Sequence, residues 1–201
     1  MGTDKATDGL LARIRRCDIC ADRLPLGPRP VVQLASEARL LIAGQAPGRR
    51  VHETGVAFDD ASGDTLRTWM GIDRDTFYDA ANVAIVPMGF CFPGTGKSGD
   101  LPPDKRCASS WRREVLESLR NIRLTLVIGQ YAQSWHFGKT HSSVTDTVQR
   151  WRELPADTIA LPHPSPRNRP WRRRNPWFEA DLLPDLRRRV AIALGQESAS
   201  H

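Results

Sequence analysis

Four cysteines, Cys17, Cys20, Cys91 and Cys107, are the side chains of this 201-residue sequence best suited to hold something beyond the fold itself. Cys17 and Cys20 form a C-x-x-C pair within RRCDICADRLPLG, while Cys91 and Cys107 lie far downstream on either side of a glycine- and proline-rich loop. In a reducing compartment such thiols do not persist as disulfides. Four thiolates suit either structural zinc or a [4Fe–4S] cluster. The competing reading makes each cysteine a small buried hydrophobe, and it has most weight for Cys91, inside the apolar run GFCFPG. Structural zinc more often uses a second tight pair, which Cys91 and Cys107 do not form.

His163 is the second residue with chemical potential. In LPHPSPRNRPWRRRNPWF, Pro164 and Pro166 stiffen the chain and fix the directions of His163 and Ser165. Five arginines follow between Arg167 and Arg174, interleaved with Asn168, Pro170 and Trp171. A charge run is usually a solvated face. Placed directly after a rigid turn, Arg167, Arg169 and Arg172 better suit gripping phosphates, with Trp171 as a wedge. A third segment, GQAPGRRVHETGVAFDD, begins with Gly44, Gln45, Ala46, Pro47 and Gly48, whose glycines let the backbone turn tightly and offer its amides to a ligand. Phe58 is either core or a platform on which a flat base stacks. GTGKS looks like the end of a phosphate-binding loop, but that motif needs a glycine where Cys91 stands, and GDLPP permits no following helix. Nucleoside triphosphate binding is therefore not expected. His52, His136, His141 and His201 have no comparable context and read as structural or surface residues.

Positioning these segments falls to four short apolar runs, 38–44, 82–88, 124–129 and 158–165, which read as buried parallel strands. Helical patterns lie between them. Leu66, Trp69 and Met70 share one face; Trp111, Val115, Leu116 and Leu119 share another, with Ser109 and Ser110 as candidate N-caps. YAQSWHFG reads as a short helix ended by Gly138, and 175–194 as a helix with Pro176 at its first position and a bend at Pro184. Alternating strands and helices predict an α/β fold, a three-layer α/β/α sandwich around a central four-stranded parallel sheet. One domain is expected over 9–194, with 1–8 and 195–201 as flexible tails. In such sheets ligands collect beyond the carboxyl ends of the strands, where GQAPG, GFCFPGTGKSGD and HPSPRN fall after the first, second and fourth runs.

A formal charge of +6 and a pI near 9.6 suit a polyanionic partner, nucleic acid first. No run approaches the roughly 20 apolar residues of a membrane span, and MGTDKATDGLLARIRRC has no signal-like core. A cytoplasmic monomer away from membranes is expected.

Taken together, these residues resemble the uracil-DNA glycosylase superfamily over roughly residues 10–194. GQAPG with Gly55, Phe58, Gly63 and Leu66 is similar to the first motif of its iron–sulfur-bearing bacterial and archaeal branch, as are IGQYAQSWHFG and the cysteine order. HPSPRN (163–168) resembles the second motif in the form of the single-strand-selective monofunctional branch. The resemblance implies a monofunctional glycosylase that flips uracil or a related deaminated base from DNA and hydrolyses its glycosidic bond in base-excision repair. It implies a [4Fe–4S] cluster ahead of zinc, with Cys17, Cys20, Cys91 and Cys107 as ligands of a structural clamp presenting Lys97, Lys105 and Arg106 to DNA. It makes His163 the donor to the leaving base and the Gly44–Gly48 loop the water-positioning side. It also makes Phe58 the platform and 165–171 the strand-gripping wedge. Two positions depart from the pattern. Pro87 stands where that branch has an asparagine reading the uracil edge. Gln45 stands where an acid is common; it can orient a water but cannot take its proton. Glu53, Asp59 and Asp60 are nearby substitutes, with Asp60 favoured. A non-catalytic DNA-binding protein of the same fold, or a glycosylase for another lesion such as hypoxanthine, is the rival expectation.

Overall fold

The four apolar runs become strands because their side chains are buried on both sides. In the computed structural model, which describes residues 5–97, 99–138 and 143–196, they are β1 (Leu40–Ala43), β2 (Val83–Ile85), β5 (Leu124–Ile128) and β6 (Thr158–Leu161). All pairings are parallel, in the order β2-β1-β5-β6, with Leu40 opposite Val83 and Leu124. Alternation divides the side chains between two layers. Leu40, Ile42, Val83, Ile85, Leu124 and Leu126 enter one core with Leu66, Trp69, Phe178 and Leu186. Leu41 and Ala84 enter the other with Ile14, Phe90, Trp111 and Val115. This is the expected three-layer α/β/α sandwich on a four-stranded parallel sheet.

The helices are α1 (Lys5–Arg15), α2 (Arg49–Thr54), α3 (Ala61–Met70), α4 (Arg74–Tyr78), α5 (Lys105–Ser118), α6 (Gly129–Phe137), α7 (Val144–Gln149), α8 (Arg169–Arg174) and α9 (Leu183–Leu194). A small hairpin, β3 (Thr95–Gly96) with β4 (Gly99–Asp100), lies between β2 and α5. No helix among the described residues is long and apolar enough to cross a membrane.

Several boundaries differ from expectation for local reasons. The strands are shorter than the apolar runs: β6 stops where Pro162, which has no N–H, follows it directly, whereas beyond β2 the Val86 and Met88 amides still donate to the Ile42 and Gly44 carbonyls on either side of Pro87. Helix α5 begins at Lys105, not near Ser109, because the Asp104 carboxylate accepts the Arg106 amide at 2.9 Å. Residues 5–8, expected in a flexible tail, belong to α1, and Thr7 is buried. The helix changes type just before Pro184. A π-helical segment, Phe178–Leu182, precedes α9, and the Leu183 amide donates to the Phe178 carbonyl across it. Pro184 then falls in the first turn of α9, where its missing N–H costs nothing. Ser98, His141, His201 and the outer tail residues 1–4 and 197–201 lie outside the described residues.

Candidate active site

Beyond the carboxyl ends of β1 and β6 the chain folds back on itself to wall a cleft of about 520 Å³. Gly44, Gln45, Ala46, Pro47 and Gly48 form one wall, Phe58 and Asp60 a second, and His163, Ser165, Arg167 and Asn168 a third. Pro87 and Ile85 line it as well. Three segments far apart in sequence therefore meet where the topology predicts.

The first wall is fastened to the sheet. The Met88 amide donates to the Gly44 carbonyl and the Gly89 amide to the Gln45 carbonyl, both at 2.9 Å. Gly44 lies against the Phe58 ring, whose edge is 3.6 Å from where a Cβ would be, an ordinary packing distance. Phe58 itself has φ 55°, a left-handed conformation uncommon for a bulky residue. Its neighbours hold it there. Arg50 donates to the Asp59 carbonyl at 2.8 Å, and Arg74 pairs with the Asp59 carboxylate at 3.1 Å. Asp60 caps α3 by accepting the Gly63 amide through Oδ1 at 2.9 Å. The ring meets Phe77 edge-on at 6.3 Å and is partly buried, so Phe58 is both core and cleft wall.

The third wall is a turn that closes on itself. Asn168 donates its side-chain amide to the His163 carbonyl at 2.7 Å, and the Ser165 hydroxyl accepts the Arg167 amide at 3.2 Å. The Ser165 amide donates to His163 Nδ1 at 3.2 Å. With Nδ1 accepting, the neutral ring carries its proton on Nε2. Burial lowers the His163 pKa, against the opposing pull of the Asp60 and Asp100 carboxylates. The ring is thus a neutral hydrogen-bond donor at physiological pH.

Not every expected residue joins the cleft. Trp171 turns inward: its indole donates to the Thr145 hydroxyl at 2.8 Å and packs edge-on against Phe178 and Trp177. The aromatic part of the expected wedge is therefore half-buried against the core. Its arginines fold into α8, where Arg169 is exposed and Arg172 pairs with Glu179 at 3.3 Å. Of the substitute acids, Asp60 lines the cleft, Asp59 is taken by Arg74, and Glu53 lies outside it. Asp100 and Gly99 of the hairpin also line the cleft. Nothing in the sequence analysis singled them out; the available signal was an acid directly after a glycine, in the loop that follows the second strand at this end of the sheet.

The four cysteines converge on a different place. Cys17, Cys20, Cys91 and Cys107 all line one small, largely apolar cavity with Ile19, Leu24 and Phe90. None forms a disulfide. The Phe90 amide points at the Cys107 sulfur at 3.3 Å, and the Trp111 indole N–H at Cys17 at 3.2 Å. Burial pushes the Cys91 thiol up to about 11 and the Cys107 thiol up to about 12. Among the described residues, no group of three or more His, Cys, Asp or Glu side chains is placed to hold a metal ion. Arg106, expected to face DNA, instead pairs with Asp104 at 2.8 Å and Asp22 at 3.0 Å, while Lys97 and Lys105 are exposed.

The family model of the uracil DNA glycosylase superfamily matches residues 32–187, leaving out Cys17 and Cys20. The matched span holds every wall of the cleft, from the GQAPG loop through Phe58 and the hairpin to the HPSPRN turn, and this chain belongs to the uracil DNA glycosylase superfamily, whose members cleave bases from DNA.

Proposed function

We propose that the protein is a monofunctional DNA glycosylase that excises uracil or a related deaminated base by hydrolysis of the N-glycosidic bond. The observation that carries this reading is the convergence of the GQAPG loop, Phe58 and a neutral His163 on one cleft. Its volume falls within the roughly 300–1,000 Å³ of small-ligand sites. A base turned out of the duplex would stack on Phe58 and be enclosed by the 44–48 backbone. As the glycosidic bond stretches, negative charge gathers on the base and positive charge on the sugar. The His163 Nε2 proton, aimed by the Ser165–Nδ1 contact, stabilises the first; the Asp60 carboxylate, whose Oδ1 alone is used in capping, stabilises the second. Pro87 offers no side-chain hydrogen bond to the base edge, so shape and backbone groups select the base. That suits a range of deaminated bases, hypoxanthine among them.

The exposed guanidiniums of Arg167, Arg169 and Arg173 flank the cleft's HPSPRN wall and suit the phosphates of the bound strand. The four-cysteine cavity suits a [4Fe–4S] cluster. Its donors are all thiols, and two N–H groups already point at the sulfurs. Such a cluster would join the N-terminal segment to the loop and helix that carry Cys91 and Cys107, and supply no group to the reaction.

Release of free base from single- and double-stranded oligonucleotides carrying uracil, hypoxanthine or xanthine tests the reading. Release from at least one is expected. Salt-sensitive binding with no release from any would assign a DNA-binding protein that kept the fold.

A further inference from the structure

The cleft holds two carboxylates, and only Asp60 belongs to the motif-bearing segments. Asp100 arrives on the β3–β4 hairpin, within the loop that joins Cys91 to Cys107. Its direction is fixed locally. Gly99 has φ 137°, a conformation reserved for glycine, and the Leu101 amide donates to the Gly94 carbonyl at 2.8 Å just after Asp100. The cleft walls hold the hairpin from both sides. Gln45 reaches the Leu101 carbonyl at 3.4 Å, and an Arg167 guanidinium nitrogen lies 3.0 Å from the place a Cβ would take at Gly99. Asp100 Oδ2 lies 3.4 Å from the same place at Gly48, which sets the carboxylate against the 44–48 wall.

The two acids differ in commitment. Asp60 Oδ1 is bound by the Gly63 amide at the start of α3. Asp100 has only a long 3.4 Å contact from the Thr95 hydroxyl; no cation among the described residues pairs with it, and it is open to solvent. Gln45, beside it, can orient a water but not deprotonate one.

Resting on the glycosylase reading, we infer that Asp100 is the catalytic base: it takes the proton of the attacking water, which Gln45 orients, while Asp60 steadies the sugar cation. The water oxygen bonds to the anomeric carbon as the bond to the base nitrogen breaks. The bonding pair leaves with the base, held by the His163 donor; the water proton passes to Asp100 and then to solvent. The ionisable groups sharing the cleft with His163 are Asp60, Asp100 and Arg167.

Two measurements test this. The first is single-turnover base release across pH for wild type, Asp100→Asn and Asp100→Glu. Asn is expected to lower the rate by about 10²-fold or more and remove the acid limb of the profile, and Glu to restore part of both. Wild-type release with an unchanged Asp100→Asn rate and profile would overturn the assignment and leave the glycosylase reading standing; no wild-type release would overturn both. The second is an NMR titration of the His163 ring in the free protein, which needs no turnover. Because the Asp100 carboxylate raises the His163 pKa, Asp100→Asn is expected to lower it, and an unmoved titration would remove Asp100 from the site.

Discussion

Phe58 and Gly63 form a matched pair at the residue scale. A Cβ at Gly63 would fall 1.8 Å from the Phe58 carbonyl oxygen, so the left-handed turn of Phe58 and the bare Gly63 require one another. Gly63→Ala is expected to lower stability by about 1–3 kcal/mol in urea unfolding and to displace Phe58; an unchanged midpoint would show that the turn has slack. His136, read from the sequence as structural or surface, is half-buried and meets the fully buried Arg112 side chain at 2.7 Å. Burial, and then Arg112, holds its pKa down to about 4. The unfolded chain takes up this proton first, so stability should decline as pH falls from about 6.5 toward 4. His136→Gln, which keeps an acceptor for Arg112, should flatten that decline in unfolding midpoints compared at pH 7 and 5. At this scale the sequence identifies His163, because the prolines around it announce a rigid turn. It does not reveal the Phe58 backbone or the Trp171 direction, which tertiary packing decides. What the sequence does not reveal about Asp100 is that its hairpin folds against Gly48 and Arg167, distant in the chain, which brings the carboxylate into the cleft.

Among the elements, the sheet was legible and the helix starts were not. Apolar runs buried on both faces have one reading, and β1, β2, β5 and β6 fall within them. Caps are more ambiguous. Ser109 and Ser110 are good cap residues by type, yet Asp104 takes the role because it both accepts the Arg106 amide and pairs with the Arg106 side chain. This choice sets Cys107 in the first turn of α5, facing the cysteine cavity. Asp104→Ala is expected to cost about 1 kcal/mol, read by thermal or urea unfolding. Arg106, chiefly through its side-chain hydrogen bonds, holds the Asp104 carboxyl down to about 2. The stabilisation is therefore complete above about pH 4 and lost as pH falls toward 2, and wild type and Asp104→Ala should converge there. A constant difference between them across that range would deny the ion pair its part.

For the whole molecule, the sheet's carboxyl end gathers the cleft, and the cysteine cavity ties the N-terminal segment to the loop and helix flanking the hairpin. That the four cysteines would meet was readable from their number and pairing; the identity of their occupant was not, since spacing alone suits zinc and cluster alike. Protein purified without oxygen is expected to be brown, and Cys107→Ser to lose both colour and thermal stability. Stoichiometric zinc in colourless protein would replace the cluster and keep the clamp. The proposed function is that this cleft breaks glycosidic bonds through His163. Its most direct test is single-turnover release of uracil from a uracil-containing oligonucleotide, comparing wild type with His163→Ala at matched DNA occupancy. The expected result is a fall of about 10²–10³-fold with DNA affinity nearly unchanged; equal rates, or no release by the wild type, would contradict it.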